Sequence, residues 1–263
     1  MDKSNFKWTT KVNLSKNLNK VLFLADTIPL YRGYQADGVD ATNIIKVGEP
    51  LGTFWGLNYL GVNPATGYAI YEDRNGDGLT NNSDAIVIGN AQPKLFGGIT
   101  NIFAYKGIDL SIFFQFSYGN KVLNFSKETL VNMGSNLDNN QSTDALRRWR
   151  KSGDITDIPK YAFGEETVTT NNLHSNRLLE DASYLRLKNL SIGYNIPSRY
   201  TDKFMLGNAR VYLNATNLWT LTKYTGSDPE VSTLDGSTSA QGIDFFTLPQ
   251  VRTIVVGLNI TLK

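Results

Sequence analysis

Ile108–Tyr118 reads Ile-Asp-Leu-Ser-Ile-Phe-Phe-Gln-Phe-Ser-Tyr. Ile108, Leu110, Ile112, Phe114, Phe116 and Tyr118 share one parity, and Asp109, Ser111, Phe113, Gln115 and Ser117 share the other. Successive side chains of a strand point to opposite faces, so one face meets an apolar medium and the other a polar one. The length suits a tilted membrane strand, which needs about 9–11 residues. The same alternation opens the chain, where Phe6, Trp8, Val12 and Leu14 oppose Lys7, Thr9, Lys11, Asn13 and Ser15. It also closes it. There Ile254, Val256, Leu258, Ile260 and Leu262 are predicted to face outward, with Thr253, Asn259 and Thr261 inward.

Working outward from this stretch, the pattern predicts nine strands: Phe6–Ser15, Val21–Asp26, Ala41–Val47, Thr53–Val62, Phe96–Tyr105, Ile108–Tyr118, Ser183–Ile196, Gly207–Trp219 and Val251–Lys263. The connections alternate in length. Lys16–Lys20, Gly48–Gly52, Lys106–Gly107 and a turn led by Pro197 are short; Thr27–Asp40, Asn63–Leu95, Gly119–Ala182 and Thr220–Gln250 are long. All the short turns therefore lie at one end of an antiparallel meander and all the long loops at the other. That asymmetry is the pattern of an outer-membrane β-barrel with long extracellular loops. A soluble β-sandwich with one buried face shares the period but not the loop asymmetry. The competing reading is thus a soluble, calcium-stabilised β-sandwich that binds glycans.

Composition narrows the classes. Charge is nearly balanced, with 26 basic and 24 acidic residues in 263, so there is no nucleic-acid footprint. The sequence has no run of about 18 apolar residues, which excludes a transmembrane helix but not a barrel strand, half of which is polar. It contains no cysteine and one histidine, His174, which leaves no basis for a thiolate site, a histidine metal site or a histidine triad. Thirteen Tyr and 13 Phe suit aromatic girdles. Met1 leads through Asp2–Asn5 directly into a strand, without a signal peptide. If the last of nine strands runs inward, so does the first. The expectation is an incomplete set of strands, the C-terminal part of a longer exported protein.

Asp73-Arg74-Asn75-Gly76-Asp77-Gly78-Leu79-Thr80-Asn81-Asn82-Ser83-Asp84 follows the calcium-loop template. Asp73, Asn75 and Asp77 place oxygens at positions one, three and five. Gly78 permits the sharp turn, Leu79 offers its backbone carbonyl, and Asp84 stands at position twelve. No helices flank it, so the expectation is a structural calcium loop outside an EF-hand pair. The competing account is an Asp/Asn/Gly turn shaped by local hydrogen bonds.

Several stretches together resemble one family. They are Gly48–Phe54, Asp73–Asp84 with Ile88-Gly89 and Pro93, Gly97–Phe103, Tyr105–Ser111, Leu179–Leu190, Gly193-Tyr194 with Pro197, Asn217-Leu218, Lys223–Gly226, Asp228–Glu230, Pro249, Arg252-Thr253 and Gly257–Asn259. In this the chain resembles the SusC/RagA-type TonB-dependent outer-membrane transporters of Bacteroidetes. The resemblance implies a barrel of about 22 strands with a plugged lumen, of which this chain matches the last nine. It also implies import of glycans or peptides, energised by the TonB complex through a plug outside this sequence. A SusD-like surface lipoprotein is implied as lid, and no enzymatic activity. Such chains end in an aromatic residue; this sequence stops at Lys263, so further residues are expected after it.

Other segments receive bland readings. Thr143–Arg150 reads as a short capped helix in a packed loop. Asp228-Pro229-Glu230 resembles a catalytic acid pair only superficially, since Pro229 fixes an extended turn. Glu180-Asp181 orders a loop base. Trp149 and Trp219 could stack on sugars, but Trp219 sits where a strand leaves the membrane and reads as girdle.

Overall fold

The computed structural model describes residues 6–262 except 27, 37, 135–138, 163–170 and 235. Asp2–Asn5 and Lys263 lie outside the described residues. The fold is all-β. Its main body is one antiparallel sheet of six long strands, taken in chain order without crossovers. They are β1 (Phe6–Ser15), β2 (Leu95–Tyr105), β3 (Ile108–Tyr118), β4 (Tyr184–Asn195), β5 (Leu206–Thr222) and β6 (Thr253–Leu262).

The register joins one apolar face across all six. Trp8 pairs with Phe103 and Val12 with Ile99. Phe103 in turn pairs with Leu110, and Ile99 with Phe114. Leu110 meets Ile192 and Ile108 meets Tyr194. Beyond them Ile192 pairs with Leu213, which pairs with Val256. A bulge between Leu187 and Asn189 keeps this face continuous by bringing Leu185 and Leu187 onto the side of Leu190 and Ile192. Asn217, at φ 52° in the left-handed region, absorbs the irregularity in β5. The opposite face carries Asp109, Ser111, Gln115, Ser191, Arg210, Asn214 and Asn259. There the Tyr212 ring packs directly over Gly257, and a Cβ at that position would make the ring shift.

The apolar face has no cover among the described residues. Val12 is 66% exposed, Val256 69% and Leu258 57%. Aromatic residues mark both ends of it: Phe6, Trp8, Tyr105 and Tyr194 near the short turns, Tyr118 and Trp219 near the long loops. Phe6 and Trp8 both stack on Phe103, at 6.3 and 5.8 Å between ring centres. A β-sandwich would lay a second sheet over this surface. No helix among the described residues is long and apolar enough to cross a membrane, which says nothing of strands.

Three of the nine predicted strands are not part of this sheet. Val21–Asp26 forms no strand; Val21 makes only a local pair of backbone bonds with Gly48 and Glu49. Ala41–Val47 shrinks to Asn43–Ile45, because Ala41 to Ile44 are buried in succession rather than alternately. Thr53–Val62 splits into Thr53–Gly56 and Tyr59–Val62, broken where the Leu57 N–H turns to the His174 carbonyl at 3.0 Å. The short segments join small sheets of their own, such as Leu30–Arg32, Asn43–Ile45, Thr53–Gly56 and Ile86–Asn90. With six strands rather than nine, the first and last run in opposite directions, so the inward start inferred from nine does not hold.

The loop asymmetry survives the recount. β2 and β3 are joined by Lys106-Gly107, both at positive φ (46° and 86°), as a two-residue type I′ hairpin turn requires. β4 and β5 are joined by a turn holding the one-turn helix Ser198–Thr201. The three long connections all leave the other end. They fold into a loop layer containing four buried hydrophobic clusters, typified by Phe54, Leu123, Leu178 and Ile243. Every residue of those clusters lies outside the six long strands.

Candidate functional site: the loop layer and the polar face

The Asp73–Asp84 loop hangs between the short strands Ala69–Tyr71 and Ile86–Asn90. Asp84 organises it. This residue is fully buried, and its carboxylate accepts N–H bonds from Arg74 (2.9 Å), Asn75 (3.4 Å) and Asn81 (3.1 Å). The Asn81 N–H and the two others hold its carboxyl below the usual aspartate range, against the opposing effect of burial. Asp73 accepts from the N–H groups of Gly76 (2.8 Å) and Gly78 (2.9 Å). Asn75 Oδ1 accepts from Asp77 N–H, while Asp77 Oδ1 accepts from Leu79 N–H at 2.7 Å. The Leu79 side chain is exposed. Among the described residues no three His, Cys, Asp or Glu side chains converge on one point suited to a metal. The donor set is nonetheless all oxygen, the chemistry a hard cation takes; the Asp73 and Asp77 oxygens accept one bond each and keep a second lone pair, whereas Asp84 Oδ1 already accepts from both Arg74 and Asn75.

Asn82 ties this loop to its neighbours. Its amide donates to Asp40 at 2.7 Å, and its Oδ1 accepts from Asp40 N–H and Trp55 Nε1.

On the polar face Arg186 is the centre. It is 1% exposed, on β4 close to the long-loop end. Its guanidinium donates to Asp228 and, at 3.0 Å, to Glu230. Lys188 and Gln115 also reach Glu230, at 3.4 and 3.1 Å. Asp228 in turn accepts from the N–H groups of Glu230 and Gln250. The acids of Asp228-Pro229-Glu230 thus bracket one guanidinium and tie the β5–β6 loop onto the sheet. A cavity of about 560 Å³ beside them is lined by Arg186, Asn217, Gln250 and Arg252. Nearer the short turns Arg210 reaches across β4 to Asp109.

Glu180 and Asp181 order a loop base, as the sequence implied. Glu180 accepts from Thr225 N–H (2.8 Å), Thr225 Oγ1 (2.7 Å) and Lys127 Nζ (3.1 Å). Burial pushes its carboxyl up, but the Thr225 and Lys127 bonds together hold it below the usual range. Asp181 accepts both the N–H and the hydroxyl of Ser183. Thr143–Arg150 holds a 3-10 turn, Thr143–Arg147, rather than a regular helix; Ser142 caps it by accepting from Asp144 N–H. Trp149 packs on Gly67 and donates Nε1–H to the Pro64 carbonyl at 2.9 Å, so it ties loops together. Trp219 pairs with Leu187 on the apolar face and is exposed there, the girdle position. His174, in polar loop sequence, is fully buried, with Nδ1 3.5 Å from Glu128.

Sequence reasoning missed the Arg186 network. Arg186 sits inside a strand whose parity shifts at the bulge, and its acids come from a loop 42 and 44 residues away.

The chain is 34% identical to TonB-dependent receptor P3 of Formosa agariphila, over 97% of its own length and 27% of that protein's. It is 33% identical to TonB-dependent receptor P26 of the same organism, over 98% and 27% of the two chains. TonB-dependent receptor SusC of Bacteroides thetaiotaomicron aligns at 25% identity over 97% of this chain and 24% of that one. The chain is homologous to SusC-type TonB-dependent receptors. It spans about a quarter of the length of these relatives. No family model matches it. Among solved structures, the RagAB peptide importer in its open-open state matches 100% of the chain and 27% of its own, with TM-score 0.78 at 24% identity. The RagAB peptide transporter matches with TM-score 0.73. The fold is similar to that of the matched part of these structures. The relatives are named as receptors, and the matched structures as a peptide importer and transporter.

Proposed function

We propose that this chain is the C-terminal stretch of barrel wall in a SusC-type outer-membrane importer, which takes up glycan or peptide fragments. The carrying observation is the continuous apolar face, uncovered among the described residues and with aromatics at both ends, joined to a homology over 97% of the chain. In this reading the apolar face meets lipid. The polar face lines the lumen, the long loops are extracellular and the short turns periplasmic. The β5–β6 loop, clamped by Arg186, Asp228 and Glu230, narrows the lumen next to β4 and β5. Energy comes from the TonB complex acting on a plug outside this sequence, and a SusD-like lipoprotein closes the loop end.

The test is uptake by cells that carry the whole receptor. Its deletion is expected to abolish growth on one class of oligomer, glycan or peptide, and inactivating TonB to produce the same defect. Full growth on every oligomer after deletion would refute import as the function.

We propose further that Asp73, Asn75, Asp77, Asp84 and the Leu79 carbonyl hold one calcium ion with a structural role. The all-oxygen donor set at positions one, three, five, seven and twelve supports this. Calcium would offset two of the loop's three carboxylate charges. Titration of the whole receptor with calcium should give one site lost in Asp73→Ala; absence of any calcium heat or of calcium-dependent loop protection would rule the ion out.

A further inference from the structure

The apolar face carries a groove of about 670 Å³ at its short-turn end. Ile192, Val211 and Val256 line it, with Tyr105 and Tyr194, and Lys106 stands at its turn end. A smooth barrel exterior offers lipid tails no such recess. The charge around it is one-sided. Lys106 is exposed, with Nζ 5.1 Å from the Tyr105 ring centre. The Asn195 N–H donates to the Gly107 carbonyl at 2.9 Å, which sets this hairpin turn beside the β4–β5 turn. That second turn presents exposed Arg199 and Lys203 against a single acid, Asp202. It also exposes Tyr200, Phe204 and Met205, side chains of the kind that settle at a membrane surface.

We propose that this groove is a binding site for one anionic phospholipid, with an acyl chain lying along Ile192, Val211 and Val256 and the phosphate held by Lys106 and the neighbouring Arg199. An acyl chain fits an apolar recess continuous with the lipid-facing surface. Basic residues at the interface attract anionic headgroups and leave zwitterionic ones nearly unselected. Tyr105 and Tyr194 present rings to the chain and hydroxyls to the headgroup region. The inference rests on the membrane reading above, because it needs the apolar face to meet a bilayer.

The test uses the full-length receptor that contains this chain, extracted in detergent and titrated with dioleoylphosphatidylglycerol or dioleoylphosphatidylcholine, bound lipid being counted by native mass spectrometry. The expected result is one tightly held phosphatidylglycerol. Its affinity should fall about tenfold or more in Lys106→Glu/Arg199→Glu. Val211→Trp fills the recess without touching charge, and it should lose the lipid too. Glycerol phosphate without acyl chains should not compete, which separates a lipid from a free phosphate ion. Equal retention of the two lipids, full retention by both variants, or displacement by glycerol phosphate would overturn the site. Fractionation and heat-modified migration report barrel assembly. A receptor absent from the outer membrane sinks the membrane reading itself. One that assembles but holds no lipid sinks only this proposal.

Discussion

The six-stranded wall and the loop layer at its end are built on opposite rules. In the wall the large apolar side chains are exposed: Ile254, Val256 and Leu258 are each more than half exposed among the described residues. In the loop layer Phe54, Leu57, Leu123 and Ile243 are fully buried, as is the polar Asp84. Burying apolar area stabilises by roughly 25 cal/mol per Å² only where water is the solvent left behind. The loop layer follows that rule and forms hydrophobic cores. The wall has none, so its order rests on the antiparallel ladder and on an apolar solvent that the bilayer supplies in the proposed reading. The difference teaches that fold class here is decided by which solvent each region meets.

The comparison can be broken from either side. The largest effect is expected where the two regions are joined. Asp228→Ala leaves Arg186, 1% exposed, short of one partner, and breaking a buried pair costs about 3–5 kcal/mol. The β5–β6 loop should become open to protease while wall assembly is unchanged. Arg186→Met with Asp228→Leu should recover much of the loss. An unchanged cleavage pattern would show the loop to be held by other contacts.

Next comes the wall. Leu258→Arg puts a charge on the apolar face at a cost of about 2–4 kcal/mol near the membrane midplane, whereas Asn259→Arg faces the lumen. Outer-membrane yield of the whole receptor should fall for the first and hold for the second. Equal yields would erase the distinction between faces.

A smaller effect belongs to the loop alone. Asp84→Ala strips three N–H groups of their acceptor and should loosen the loop locally. Hydrogen exchange over residues 74–81 should accelerate, with the wall unaffected. Loop exchange at the wild-type rate would show that Asp84 does not organise it.

The smallest is a pH effect with a fixed sign. The Asp84 carboxyl is lowered in the fold, so its contribution is complete above the unfolded aspartate value of about 3.9 and fades as pH falls through the lower folded value. Loop protection measured from pH 7 downward should therefore stay flat to about pH 4 and drop below it. Loosening that begins near neutrality would contradict this.

How much could be read in advance depended on the region. Ile108–Tyr118 and Phe6–Ser15 were legible residue for residue, because a ladder with one apolar face imposes a strict period of two. Ala41–Val47 and Thr53–Val62 have β-branched and aromatic residues too, but successive burial of Ala41 to Ile44 and of Thr53, Phe54, Gly56 and Leu57 gives those stretches no period of two to read. The bulge at Leu187/Asn189 was hidden because local parity says nothing of an inserted residue. The oxygens of the Asp73–Asp84 loop can be named as a set from the spacing alone. Their engagement with backbone N–H groups, and the burial of Asp84, belong to three dimensions and left no mark on the spacing.

The most direct test of the central claim is solvent facing along β6. Single cysteines at 254, 256, 258, 260 and at 253, 257, 259, 261 would be placed in a cysteine-free whole receptor, spin-labelled and reconstituted in a bilayer. Collisions with oxygen report lipid, and collisions with a water-soluble nickel chelate report the lumen. The account predicts strict alternation, with oxygen favoured at Ile254, Val256, Leu258 and Ile260 and the chelate at Thr253, Gly257, Asn259 and Thr261. Uniform access of both probes along the strand, or shielding of the even positions from both, would contradict a wall that faces lipid on one side and the lumen on the other.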